Sequence, residues 1–146
     1  MRFWDSSALV PLLLHEAASM AAHDTLTGDN GLIVWWGTPV ECASAIVRAE
    51  RDARIDADGT SDALAALRLL RSGWSEIDAT ARLRDIAERL TRVHPLRTAD
   101  ALQLAAATVA AEGQPGSLPF VTLNDRLTVA ADREGFRVIR FDRPAA

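Results

Sequence analysis

Phe3-Trp4-Asp5-Ser6-Ser7-Ala8 decides how this chain is read, because a short run of buried-strand character ends in a carboxylate and passes at once into the helical pattern Ala8-Leu9-Val10-Pro11-Leu12-Leu13-Leu14. Asp5 therefore stands at the carboxyl end of a first strand. In open α/β sheets that edge holds the ligand crevice, since the loops splay there and helix amino termini point into it. On its own Asp5 has two readings: a cap whose oxygen satisfies the free N–H groups of the first helical turn, or a functional carboxylate. The remaining acids of the chain bear on the choice.

Downstream, Ser7 to about His15 reads as a helix, with Pro11 early enough to be tolerated. Ala17 to Leu26 reads as a second helix, stopped by the turn signal Thr27-Gly28-Asp29-Asn30-Gly31. Leu32-Ile33-Val34-Trp35-Trp36 is a buried, β-rich run and gives the second strand. Pro39 opens a helix to about Ala53, with Val40, Cys42-Ala43 and Ile46-Val47 at the 3.6-residue period of one buried face. Asp56 to Thr60 reads as a polar turn, with Ser61 capping a helix from Asp62 to Arg71 that Gly73 ends. Trp74 to Ile77 is a weak strand candidate, and Asp78 to Val93 a long amphipathic helix closed by Pro95. A helix beginning at Arg97-Thr98-Ala99-Asp100 is apolar on most faces as far as Ala111, the composition of a buried element. Phe120 to Leu123 reads as a strand, Arg126 to Glu134 as a helix and Arg137 to Phe141 as a last strand. Strands separated by helices imply crossovers, hence an α/β fold with a mostly parallel sheet.

The 146 residues are 49% apolar, enough for one domain, residues 1–146, with its own core. A net charge of −4 excludes the broad basic surface that drives non-specific DNA binding. All 16 basic residues are Arg, a planar donor suited to carboxylate or phosphate. The lone Cys42 excludes an internal disulfide and a thiolate metal cluster, which points to a reducing cytoplasm. Ala101 to Ala111 is only eleven residues long, short of the ~20 needed to span a membrane. No signal peptide pattern is seen at the start.

Asp5 ends the first strand, Glu41 lies in the first turn of the helix after the second, and Asn124-Asp125 follow the strand ending Thr122-Leu123. In a parallel sheet such junctions share one edge. Asp100 lies in the first turn of the apolar helix that packs on the sheet. Two carboxylates about 5 Å apart repel by roughly 3 kcal/mol at an effective dielectric of 20, a serious cost for a domain with only ~5–15 kcal/mol of net stability. Compensation must come from protonation, Arg pairing or a cation. All-oxygen donors without His or Cys favour Mg²⁺ or Mn²⁺ over zinc, and such ions promote phosphodiester hydrolysis. The plainer alternative is four separate helix-start acids, each favoured by the local dipole by ~0.3–1 kcal/mol.

The runs Asp5-Ser6-Ser7-Ala8-Leu9, Glu41 to Arg48, Leu96 to Ala105 and Phe120 to Leu127 resemble, in order and spacing, the motifs of PIN-domain nucleases, in particular the VapC toxins of bacterial toxin–antitoxin pairs. The resemblance covers nearly the whole chain. It implies a three-layer α/β/α fold with a central parallel sheet, a Mg²⁺- or Mn²⁺-dependent ribonuclease acting on RNA, a homodimer, and a small VapB-type antitoxin as inhibitor. Asp5, Glu41 and Asp100 match the three principal acidic ligand positions. The family's last motif is Thr-x-Asp, whereas here Thr122-Leu123 is followed by Asn124, with Asp125 one place later. Either Asn124 serves through its amide oxygen or Asp125 takes the metal-ligand role. Thr122 matches a supporting hydroxyl, and Ser7 is a hydroxyl partner for Asp5 or a helix cap.

Arg48 and Arg97 lie near the motif acids and can orient them or meet phosphate. Trp35-Trp36 reads as core, with one ring a candidate for base stacking or a partner surface. Leu12-Leu13-Leu14 supplies more apolar surface than one helix face needs, fitting an antitoxin helix. A haloacid-dehalogenase-type phosphotransferase needs Asp-x-Asp after the first strand, but Ser7 holds the second place; a receiver domain needs a Lys, and there is none. A catalytically silent PIN module acting through partner binding alone is the remaining alternative.

Overall fold

Five short strands, β1 (Arg2–Trp4), β2 (Leu32–Trp35), β3 (Ser75–Ile77), β4 (Phe120–Val121) and β5 (Val138–Ile139), form one sheet in the order β3-β2-β1-β4-β5 in a computed structural model that describes residues 1–142. Every pairing is parallel. The first strand is therefore the middle one: Phe3 pairs with Ile33 on one side and with Phe120 on the other.

Successive strand side chains point to opposite faces, and here both faces are covered. Phe3, Trp35 and Phe120 enter a core built with α5 (Ala81–Val93), α6 (Thr98–Ala110) and α7 (Asp125–Arg133). Trp4, Leu32, Val34 and Val121 enter a second core with α1 (Ser6–Leu13), α3 (Thr38–Arg51) and α4 (Ala57–Arg71), against which Leu26 of α2 (Ser19–Gly28) also packs. The result is a three-layer α/β/α PIN-like fold, as the sequence motifs implied. Coverage on both faces explains why these strands read as continuous apolar runs and not as alternating ones. Phe3 and Phe120 stack with ring centroids 5.3 Å apart, joining the central strand to its late partner. α6 is buried along most of its length, as its Ala-rich composition implied.

Two boundaries differ from the sequence reading by three residues or more. α4 begins at Ala57, not Asp62, because Asp56 is the cap: its Oδ1 accepts the Gly59 N–H at 2.8 Å. α5 begins at Ala81, where Thr80 caps the Leu83 N–H at 3.1 Å. The carboxyl end of α7 is set by Gly135, whose φ of +96° lies in the left-handed region. A Cβ there would also lie 3.1 Å from Pro115, so glycine meets two demands at one position. Among the described residues no helix is long and apolar enough to cross a membrane.

Candidate active site

Asp5 leaves β1 and caps α1, so both readings of this residue hold at once. Its Oδ2 accepts the Ser7 backbone N–H at 3.3 Å, a short hydrogen bond from the Ser7 hydroxyl, and the Thr122 hydroxyl at 2.9 Å. All three donors lie on one oxygen. Oδ1 has only a long 3.5 Å contact from Ser6 Oγ, whose closer partner is Glu41 Oε2 at 2.7 Å. Asp5 is 3% exposed and Thr122 is fully buried. β4 delivers Thr122, and the chain folds back over it: Ser7 Oγ accepts the Leu123 N–H at 2.9 Å, and Thr122 Oγ1 accepts the Asn124 N–H at 3.0 Å. Ser7 and Thr122 thus bind β1 to β4 directly beneath the carboxylate.

Glu41 arrives from the first turn of α3, which begins just after β2. Ser6 donates to its Oε2, and Gln103 Nε2 donates to its Oε1 at 3.2 Å. The same Gln103 amide group donates to the Thr38 hydroxyl at 3.1 Å, while its Oε1 is buried without a partner among the described residues. Gln103 is a contributor that sequence reasoning missed. Its signal was a polar residue on an otherwise apolar helix, three positions after Asp100.

Asp100 is held differently. Oδ1 accepts Asn124 Nδ2 at 3.0 Å, and Oδ2 accepts Arg126 Nε at 3.1 Å and the Arg97 backbone N–H at 3.2 Å. Arg126 was not anticipated. Its position in the first turn of α7, two residues beyond Asn124, is the only sequence signal it carried.

Burial pushes the Asp5 carboxyl above its ordinary range; the Ser7 and Thr122 hydrogen bonds offset part of this, and the charge of Asp100 adds to the rise. Burial raises Glu41 as well, opposed by the hydrogen bond from Ser6 and reinforced by the charges of Asp5 and Asp100. The three acids therefore share one electrostatic environment. Cys42 is turned into the core, its thiol pushed up to about 12 by burial and then by Glu41 and Asp5, which makes it an inert neighbour.

The two candidates for the fourth position separate. Asn124 lies at Asp100, but with its amide nitrogen toward the carboxylate; its Oδ1 is taken by the Leu127 N–H at 3.2 Å, capping α7. In this structure the Asn124 amide oxygen therefore faces the Leu127 N–H and its NH₂ faces Asp100. Asp125 points outward, 76% exposed, with Arg140 Nη1 2.8 Å from its Oδ1, so the structure does not bring it to the three acids. Arg48 lines a groove of about 450 Å³ with Ser6, Ser7, Glu41 and Ser44, and it makes no ion pair among the described residues. Arg97 is exposed and contributes its backbone N–H. Trp35 is in the core while Trp36 is 56% exposed. His94 is buried against Glu134, its Nε2 3.1 Å from Oε2, tying α5 to α7.

The donor chemistry fits a hard divalent cation: carboxylates and hydroxyls, and a buried amide oxygen without a partner beside Glu41. Among the described residues no three His, Cys, Asp or Glu side chains are gathered closely enough to hold a metal ion. Asp100, drawn toward Asn124 and Arg126, is the carboxylate engaged elsewhere.

No family model matches the chain, and no curated protein matches it in sequence. Solved structures do. PAE2754 from Pyrobaculum aerophilum is similar at a TM-score of 0.64 and 20% identity, covering 97% of this chain and 89% of that one. A chain of FitAB, solved bound to the IR36 DNA fragment, is similar at 0.69 and 13% identity, covering 100% and 99%. FitAcB from Neisseria gonorrhoeae is similar at 0.62 and 14%, covering 95% and 96%. Strand order, layer arrangement and end-to-end structural likeness together identify the fold of this chain as that of the PIN domain.

Proposed function

We propose that this chain is a Mg²⁺- or Mn²⁺-dependent endoribonuclease and the toxin of a VapBC-type toxin–antitoxin pair. The observation that carries the reading is the meeting of Asp5, Glu41 and Asp100 at one sheet edge, where burial and mutual repulsion raise the first two and no cationic side chain hydrogen-bonds to either among the described residues. A divalent cation is the compensation this arrangement lacks. Asp5 and Glu41 would hold it, and it would supply Lewis acidity and a more acidic water for attack on phosphorus.

The protein's own groups do the positioning. Ser7 and Thr122 fix Asp5 Oδ2 and leave Oδ1 toward the site; Ser6 and Gln103 hold the two oxygens of Glu41. Arg48, at the groove wall, offers a guanidinium to a substrate phosphate. Hydrolysis in this arrangement leaves a 3′-hydroxyl and a 5′-phosphate.

The partner assignment draws on the FitAB likeness. FitAB was solved on DNA, whereas this chain, at −4, lacks the charge for such binding by itself. DNA contact would therefore fall to a VapB-type antitoxin. The apolar groove of about 390 Å³ lined by Leu12, Leu13, Leu26, Leu32, Leu69 and Leu70 fits an antitoxin helix. A homodimer and a cytoplasmic location complete the proposal.

The test is cleavage of a mixed RNA substrate by the purified chain with Mg²⁺, with Mn²⁺ and with chelator. Metal-dependent cleavage that disappears in Asp5→Asn supports the reading; none at any metal concentration overturns it. The donor character of the Asn124–Arg126 corner favours the second reading, a silent PIN module, and the same titration decides between them.

A further inference from the structure

Two grooves flank the amino-terminal end of α3, and they meet at Val40. One, of about 450 Å³, lies between α1 and α3 and holds Glu41, Ser44 and Arg48. The other, of about 400 Å³, lies between α3 and α4, with Pro39, Val40 and Ala43 on one wall and Arg68 and Arg71 on the other. Chain direction explains the pairing. α3 starts directly after β2, at the site edge of the sheet, and α4 returns alongside it, so the last turn of α4 reaches the first turn of α3.

The charge of these walls departs from that of the molecule. Acids outnumber bases 20 to 16 in the whole chain, yet the two linings hold three arginines and a single acid, Glu41. Arg48, Arg68 and Arg71 are exposed, and none makes an ion pair among the described residues. Arg68 and Arg71, three apart on one helix, form a mildly unfavourable like-charge pair that no acid in their groove relieves. A polyanion laid over them removes that repulsion and releases its own counterions. Between the charges the wall is apolar: Val40 is 70% exposed, with Leu64 and Leu67 beside it. Such a surface suits the faces of unpaired bases, whereas a duplex keeps its bases stacked inside.

We propose that single-stranded RNA lies across the first turn of α3, with phosphates on Arg48 at one side of Val40 and on Arg68 and Arg71 at the other. That course carries the strand past Glu41. Naming the polyanion as RNA rests on the proposed function; the charged cleft does not, and its test needs no metal.

The test is fluorescence anisotropy of the full chain with a fluorescein-labelled single-stranded RNA of mixed sequence, in chelator, over a range of salt. Three phosphate contacts, at about 0.7 each, give a slope of about −2 for log affinity against log salt. Arg68→Gln/Arg71→Gln should reduce the slope to about −0.7 and weaken binding on the order of twentyfold at 0.1 M salt. Arg133→Gln/Arg137→Gln removes the same charge from the far end of α7 and the entry to β5, at the opposite edge of the sheet, and should leave both quantities unchanged. Equal weakening by the two double variants shows diffuse attraction and overturns the proposal, as does the absence of RNA binding. A thermal midpoint that falls in Arg68→Gln/Arg71→Gln while affinity holds shows that these arginines serve only the α4 dipole, and overturns it too. Equal or tighter binding of duplex RNA, or of single-stranded DNA of the same sequence, overturns the assignment to single-stranded RNA. Binding of this kind without cleavage in any metal leaves the inference standing and removes the nuclease reading. Metal-dependent cleavage with wild-type RNA affinity in Arg68→Gln/Arg71→Gln does the reverse.

Discussion

The two ends of the acidic cluster are stabilised by opposite means. Asp5 and Glu41 are held by hydroxyls and an amide, which fix their orientation and leave the charge in place. Asp100 is held by a guanidinium, which pairs with its charge. Hydrogen bonding and neutralisation are therefore separable, and the fold applies them to different carboxylates a short distance apart. The neutral-donor end, when ionised, carries its charge in a buried position with no cationic side chain hydrogen-bonded to it among the described residues, the costly arrangement a binding site for a cation requires. The Arg126 end is stable as it stands.

The largest effect that tests this contrast is Asp5→Asn. It should lower RNA cleavage on the order of a thousandfold, since several kcal/mol of charge stabilisation depend on the ligand. The thermal midpoint in chelator should hold or rise, because a buried charge is removed. A drop in midpoint would show that the Asp5 charge stabilises the fold and would break the comparison.

Thr122→Val is next. The valine matches the shape but removes a buried donor to Asp5 and an acceptor for the Asn124 N–H. Hydrogen bonds to charged groups are worth about 1.5–3 kcal/mol, so a loss of about 2 kcal/mol is expected in a urea titration. A neutral result would mean that Ser7 alone suffices to hold the carboxylate.

A pH series sharpens the comparison further. Asp5 and Glu41 titrate above 3.8 and 4.5 in the fold, so across that interval and upward the folded chain binds more protons than the unfolded one. Their favourable contribution is complete below those values and is lost as pH rises through the folded pKa values. Glu134 runs the other way: burial would raise it, but Arg89 and His94 hold it low, so its contribution is lost as pH falls. With chelator present, the midpoint should decline as pH rises through the folded values of Asp5 and Glu41, and saturating Mn²⁺ should flatten or reverse the decline, since the cation displaces the protons. A midpoint that rises with pH in chelator contradicts the account of the Asp5–Glu41 end.

The smallest effect belongs to Asp125→Ala. Its exposed pair with Arg140 is worth less than about 1 kcal/mol, and RNA cleavage should stay within twofold of wild type in a gel assay. A large loss would return Asp125 to the site.

The layered architecture was legible because both-face burial leaves its mark in composition: Ile33-Val34-Trp35 and Phe120-Val121 show no polar alternation, and the Ala-rich run of α6 could only be interior. Asp5 and Glu41 were legible from strand-to-helix junctions, and Asp100 from the first turn of the apolar helix. The start of α4 was not, because Asp56, Asp58 and Gly59 suit a turn and a helix amino terminus equally, and only the Gly59 N–H on Asp56 separates them. Nor was the character of the Asn124 corner, since an amide shows either its donor or its acceptor depending on which end a neighbour claims. The backbone of Leu127 decides that, and side-chain spacing does not record it. Trp35 and Trp36, indistinguishable as neighbours in an apolar run, part company because the strand stops between them.

The placement of β1 between β2 and β4 has a consequence for synthesis. Ribosomes add roughly 5–20 residues per second, so on the order of ten seconds separate Asp5 from Thr122. Throughout that interval the middle of the sheet has an open flank, with Phe3 lacking the ring it stacks on and Asp5 lacking a hydroxyl that orients it. A chain that stops short of β4 lacks Thr122, and the pocket is completed only in molecules whose translation has passed β4.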